Sequence, residues 1–264
     1  MRAAVRDVEL EYEVLGDGPE LVWLHGLSGS LEESRPLCER LARDYRVLWY
    51  SSRGHGRSTQ VFDKRRFAYD EFADDLQAMV EHVGFDRPVI GGGSHGSNTL
   101  LRHAVRHPGV ARALLAVAPG GNSLRRPPRL KWALIKGHVT VASLRGEHAV
   151  IQAITGHDPR SASLDDVAQQ AVAAARSHDL KALVTAMKLV PDQQAVPPEL
   201  LPGITVPTTV AAWDHDPLIH PIAVAREIAQ LIPGATFVEM PKATDLSHDE
   251  AAALMSGWVA ELLR

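Results

Sequence analysis

Gly92-Gly93-Ser94-His95-Gly96 constrains this chain more than any other stretch, because it joins an apolar run, Arg87 to Ile90, to a helix-like segment reaching about His107. A G-x-S-x-G pentapeptide in that setting is a strand, a sharp turn and a helix. Glycines without a Cβ let strand and helix close around a serine held in a strained backbone conformation. Ser94 is therefore the leading candidate for a nucleophile.

The rest of the chain repeats the same strand and helix order. Alternating residues from Ala3 to Leu15 predict two antiparallel strands, and Gly16-Asp17-Gly18-Pro19 a turn before the run Leu21-Val22-Trp23-Leu24. Helices are expected near 31–43, 70–83 and 95–107, and strands at 46–50, 87–92 and 111–117. Such alternation argues for a parallel sheet covered on both faces, with ligands at the strand C-termini. Between Pro119 and Pro202 the pattern turns helical: Leu130 to Leu144, Glu147 to Thr155, Leu164 to Ser177 and Leu180 to Leu189. A strand at 206–212, a helix from Ile222 to Leu231, a strand from Ala235 to Glu239 and a last helix complete the chain.

Three further segments carry a resemblance. Leu24 runs into His25-Gly26-Leu27-Ser28-Gly29, a glycine-containing strand-end loop of the kind that supplies a backbone N–H to an oxyanion hole. Arg53-Gly54-His55-Gly56-Arg57-Ser58 follows a strand as an R-G-x-G-x-S loop, and Val206 to Pro217 reads as a strand ending in an Asp-Pro turn. Together with the pentapeptide, these segments resemble the α/β-hydrolase fold family, although Ser52 stands where an Asp is common. The resemblance implies a doubly wound, mostly parallel α/β sheet with an inserted all-helical cap. The core is then expected at 1–119 and 203–264 and the cap at 120–202.

Acyl transfer by a serine needs a base, an acid that orients the base, and fixed donors for the oxyanion. The resemblance points to Asp216 as the acid, with Asp214 next, and to the backbone N–H groups of Leu27 and His95 as the oxyanion hole. The base is where the pattern breaks. The family's usual P-G-A-G-H-x-x-H, laid on Pro241 to His248, puts Asp245 on the catalytic histidine position and His248 on the second. Three explanations stand open. His248 reaches Ser94 by a different loop path, and it is the base adopted at this point. Alternatively another histidine substitutes, with His220 nearest in sequence to the acid turn and His25 and His55 on loops beside the pocket. In the third, Asp245 serves as base or acid in a different reaction. Ser247-His248-Asp249-Glu250 also reads as a plain helix start with Ser247 as its cap.

Composition narrows the classes. A 264-residue chain with 45% hydrophobic residues can build one large core, and a net charge of −4 gives no case for nucleic acid or an anionic membrane. The thirteen histidines are scattered without metal-ligand spacing, and no G-x-G-x-x-G opens a dinucleotide unit, so neither metal nor cofactor is expected. Cys38, the one cysteine, reads as a small core residue, and the N-terminus lacks the apolar stretch of a signal peptide, so a cytoplasmic protein is expected. Arg125-Arg126-Pro127-Pro128-Arg129 reads first as a solvated entrance to the cap, and second as a docking patch for an anionic substrate or a phosphopantetheine-bearing carrier protein.

The expected function is hydrolysis or transfer of an acyl group from a small ester, thioester or lactone. One rival is a lyase, cyclase or isomerase of secondary metabolism that uses Asp245. The other is a ligand-binding receptor that has lost catalysis.

Overall fold

A computed structural model describes residues 1–126, 129–214, 219–242 and 245–264. Its strands are β1 (Arg2–Val5), β2 (Val8–Leu15), β3 (Glu20–Leu24), β4 (Arg46–Tyr50), β5 (Val89–Gly93), β6 (Ala113–Val117), β7 (Thr208–Ala212) and β8 (Thr236–Glu239). They form one sheet in the order β1-β2-β4-β3-β5-β6-β7-β8. β1 and β2 pair antiparallel, β2 joins β4 antiparallel, and every later pairing is parallel.

The central strands are apolar at successive positions because both faces are covered, and the pleat sends neighbours to opposite layers. In β3, Leu21 and Trp23 join one core while Val22 and Leu24 join the other, and Val47 and Trp49 against Leu48 and Tyr50 repeat this in β4. The first layer is closed by α1 (Leu31–Leu41) packed on α9 (His248–Leu262). The second is closed by α2 (Tyr69–Val83), α3 (His95–Arg106) and α8 (Ile222–Leu231). Cys38 is wholly buried in the first layer, and burial pushes its thiol well above the ordinary range, which fits a packing residue.

Between β6 and β7 the chain forms α4 (Arg129–Leu144), α5 (Glu147–Thr155), α6 (Asp166–Arg176) and α7 (Leu180–Leu189). These helices have a small core of their own around Val139, Ala142, Val150 and Val184. They are tied to the sheet by His178, in the turn before α7, whose Nδ1 accepts the Gly56 N–H at 3.1 Å. The loop that donates that bond is itself anchored. Arg53, with no solvent exposure, clasps Asp75 of α2 through Nε at 2.6 Å and Nη2 at 2.7 Å. A buried fork of this kind fixes the loop's position, because neither charge can leave its partner without a desolvation penalty.

Element boundaries fall within two residues of those read from the sequence. Short 3-10 turns at Val190–Asp192 and Pro198–Gly203, which periodicity does not reveal, make the return from the inserted helices.

Candidate active site

β5 runs one residue further than its apolar pattern indicates, and Ser94 follows directly as the N-cap of α3. Its φ of +53° and ψ of −108° place a non-glycine residue in a region that L side chains rarely adopt. The Ser94 N–H donates to Val117 O at 2.9 Å, which holds the turn against β6. The flanking glycines do different work. A Cβ on Gly96 would lie 2.3 Å from Leu24 O, and one on Gly92 would lie 2.9 Å from Leu24 Cβ, whereas one on Gly93 would meet nothing within 4 Å. Strand β3 thus crosses the start of α3 at a distance only glycine permits. Gly96→Ala is expected to cost about 2–3 kcal/mol of unfolding free energy, and Gly93→Ala about 0.5 kcal/mol or less. Urea titration of the two variants checks this, and equal losses would contradict it.

Opposite Ser94 stands His220, whose Nε2 lies 2.8 Å from Ser94 Oγ. With the hydroxyl as donor, Nε2 is the acceptor and the ring proton sits on Nδ1. His220 precedes α8 in the loop after β7, and Gly121 N–H donates to Ile219 O at 2.7 Å, which secures that loop to the one after β6. The Trp213 ring packs beside the imidazole, with centroids 5.7 Å apart.

Of the residues singled out in the sequence, the structure brings Ser94 and His220 together, so the hydrogen bond expected of His248 is made by His220. His248 is the first residue of α9, fixed there by a reciprocal cap. The Ser247 hydroxyl accepts the Glu250 N–H at 3.2 Å, and the Ser247 N–H donates to the Glu250 carboxylate at 2.8 Å. Burial, with Arg40 nearby, holds His248 below the ordinary imidazole pKa. The first turn of α9 sets where His248 sits, and the hydrogen bond to Ser94 Oγ is made by His220. Asp216 lies outside the described residues. Asp245 sits in a turn after β8, where its N–H donates to Lys242 O at 2.9 Å.

The other histidines near the pocket are tied to backbone. His25 donates from Nδ1 to Gly26 O at 2.6 Å and accepts the Ser52 N–H on Nε2 at 2.9 Å, joining the β3 and β4 loops, and burial lowers its pKa well below the ordinary value. His55 contacts Leu27 O at 2.8 Å and Arg53 O at 3.0 Å. Both therefore position the loop containing Leu27. That loop passes close to the nucleophile, since a Cβ on Gly26 would stand 3.8 Å from Ser94 Cβ. The His95 N–H, at the first position of α3, is one of those for which a helix has no internal acceptor. The His95 side chain is buried, with its pKa pushed down to about 3 by desolvation and then by His55.

Two chambers meet at Ser94. One, of about 560 Å³, lies under the inserted helices and is walled by Val139, Ile154, Met187 and Val190. The other, of about 400 Å³, lies between the sheet edge, α1 and α9, walled by Leu37, Trp213, Met240 and Met255, with His248 also on its lining. Gly26, Ser94 and His220 line both. On the lining of the larger chamber sits a polar group that no sequence motif marked: Tyr69, Asn98 and Asn122. Asn98 could have been found by spacing, since it lies four residues after Ser94 and so on the same face of α3.

Among the described residues, no group of three His, Cys, Asp or Glu is placed to hold a metal ion, and no helix is long and apolar enough to cross a membrane. In the basic run, Arg125 pairs with Glu227 of α8 at 2.5 Å, and Pro127 and Pro128 lie outside the described residues.

An open, mostly parallel sheet with helices on both faces and a pocket at its carboxyl edge defines a doubly wound α/β protein. The family model described as alpha/beta hydrolase fold matches residues 19–252, so the chain belongs to that family. The chain is 34% identical over 116 residues to a bifunctional esterase/perhydrolase of Acinetobacter calcoaceticus, covering 42% of this chain and 41% of that one. It is 30% identical over 120 residues to a fluoroacetate dehalogenase of a Burkholderia species, covering 44% and 40%. These matches span well under half the length of each relative. Among solved structures, the enol-lactonase from Burkholderia xenovorans superposes with a TM-score of 0.78 at 25% identity, over 100% of this chain and 99% of that one.

Proposed function

We propose that the protein hydrolyses or transfers an acyl group of a small ester, thioester or lactone, with Ser94 as nucleophile and His220 as base. The observation that carries this reading is the 2.8 Å contact between Ser94 Oγ and His220 Nε2 at a strained turn from strand to helix. Strain of that kind has a use when it presents a hydroxyl to a substrate and to a base together.

In this mechanism Ser94 Oγ attacks the acyl carbonyl as its proton passes to His220 Nε2. The N–H groups of Leu27 and His95 take the oxyanion. Collapse of the tetrahedral intermediate breaks the bond to the leaving group, which departs with the proton from His220. Water then repeats the sequence on the acyl-enzyme, with His220 again as base. Asp216, four residues before His220, is the proposed acid on Nδ1–H. Two chambers meeting at the serine suit a substrate with an apolar portion on each side of the scissile bond.

Hydrolysis of p-nitrophenyl acetate and hexanoate and of a small lactone tests the reading. Turnover is expected in the wild type and a loss of roughly 10⁴-fold or more in Ser94→Ala. Binding without turnover would favour the receptor reading. Conversion without hydrolysis, surviving Ser94→Ala, would favour the lyase or isomerase reading.

A further inference from the structure

The hydroxyl of Tyr69 has a bonding pattern that leaves it one role. The side chain is 4% exposed and lines the larger chamber beside Ser94 and His95. Its oxygen accepts from Asn98 Nδ2 at 3.1 Å and from Asn122 Nδ2 at 3.2 Å. Both amides are fixed elsewhere as well. Asn98 Nδ2 also donates to Asn122 Oδ1 at 3.0 Å, Asn98 Oδ1 accepts from the Ser123 hydroxyl, and Asn122 Nδ2 also donates to Gln193 O at 3.0 Å and, more distantly, to Val190 O at 3.4 Å. Two amide protons occupy the acceptor capacity of a phenol oxygen, so Tyr69 can only donate. Donors on the oxygen also strengthen its O–H, by the polarisation that runs along hydrogen-bond chains. Burial nevertheless pushes the phenol pKa up to about 12, so the proton remains at neutral pH.

The nearest acceptor for that proton among the described residues is His95 Nδ1, at 3.4 Å. This is beyond the range of about 2.5–3.0 Å for a good O–H bond. The chamber's apolar wall is Val139, Ile154, Met187 and Val190, with Ser28 and His138 as further polar groups on its lining. Asn98 lies one helical turn beyond Ser94, a rise of roughly 6 Å along α3. The donor, bonded to Asn98, therefore shares the chamber with Ser94 about one helical turn along α3.

We infer that the larger chamber selects substrates carrying a second oxygen acceptor, a ketone or similar group three to five carbons along the portion it holds, with Tyr69 as the donor that recognises it. Such a site favours the oxygenated substrate over its methylene isostere, because the isostere leaves the buried donor with only its long contact to His95 Nδ1. The inference deepens the acyl-transfer reading and rests on it for the placement of the carbonyl.

The test separates the two. In Ser94→Ala, binding of the methyl esters of 3-, 4- and 5-oxohexanoic acid is compared with methyl hexanoate by calorimetry. The pair 4-oxopentyl acetate and pentyl acetate covers the opposite orientation. At least one oxo ester is expected to bind about tenfold more tightly than its methylene counterpart, with the preference reduced to about one in Ser94→Ala/Tyr69→Phe. The absence of preference in both series, or a preference that survives Tyr69→Phe, would overturn the inference. Binding is read without turnover, so a protein that shows the preference but hydrolyses no ester in the wild type would sink the acyl-transfer reading alone.

Discussion

His220→Ala is expected to lower kcat/KM for ester hydrolysis by roughly 10⁴-fold or more, because it removes the acceptor that stands on Ser94 Oγ among the described residues. His248→Ala is expected to cost no more than about tenfold, the size of a lost pocket contact. The contrast matters more than either value. Sequence alone favours His248, since it alone among the histidines follows the last strand, and the structure gives the hydrogen bond to a residue on the preceding loop. Steady-state rates with p-nitrophenyl esters decide it. A loss confined to His248→Ala would mean that the loop after β8 moves to Ser94 during turnover.

The second large effect is acid lability. Burial holds His95, His103 and His178 at pKa values of about 3, and each is neutral when the protein is folded at neutral pH. Once unfolded, each returns to about 6.5. Below that pH the unfolded chain binds protons that the folded chain refuses, so stability is full above about pH 6.5 and falls as pH drops toward 3. Each histidine contributes a slope of up to about 1.4 kcal/mol per pH unit, so the three together reach about 4 kcal/mol per unit near pH 5. Against a typical total of about 5–15 kcal/mol, this predicts unfolding between about pH 4 and 5. Urea midpoints measured from pH 7.5 to 4.5 check it. His178→Asn should flatten the curve by about one proton, and a flat profile from pH 7 to 5 would contradict the account.

How much was legible in the sequence depends on what each residue needs from its neighbours. The strands are legible because both faces of the sheet are covered, as with Leu21 to Leu24, and such runs are apolar throughout. The turn at Ser94 is legible because its constraint is steric and local: Gly92 and Gly96 sit against Leu24. Gly93 shows the limit of that reading, since a glycine there has no close neighbour to satisfy. Which histidine meets Ser94 was not settled by sequence because it depends on two loops that follow different strands. Ser247 to Glu250 offered a helix cap and a catalytic histidine in the same four residues, and the cap is present. Tyr69 escaped notice for a similar reason. It opens α2, and only the tertiary fold brings Asn98 and Asn122 onto its oxygen.

The central claim is that Ser94 is activated by His220, and labelling with a small fluorophosphonate, read by intact mass and peptide mapping, tests it most directly. One adduct on Ser94 is expected in the wild type. Labelling should vanish in Ser94→Ala, slow by orders of magnitude in His220→Ala and persist in His248→Ala. A wild type that stays unlabelled, or labelling that depends on His248 and not on His220, would contradict the account.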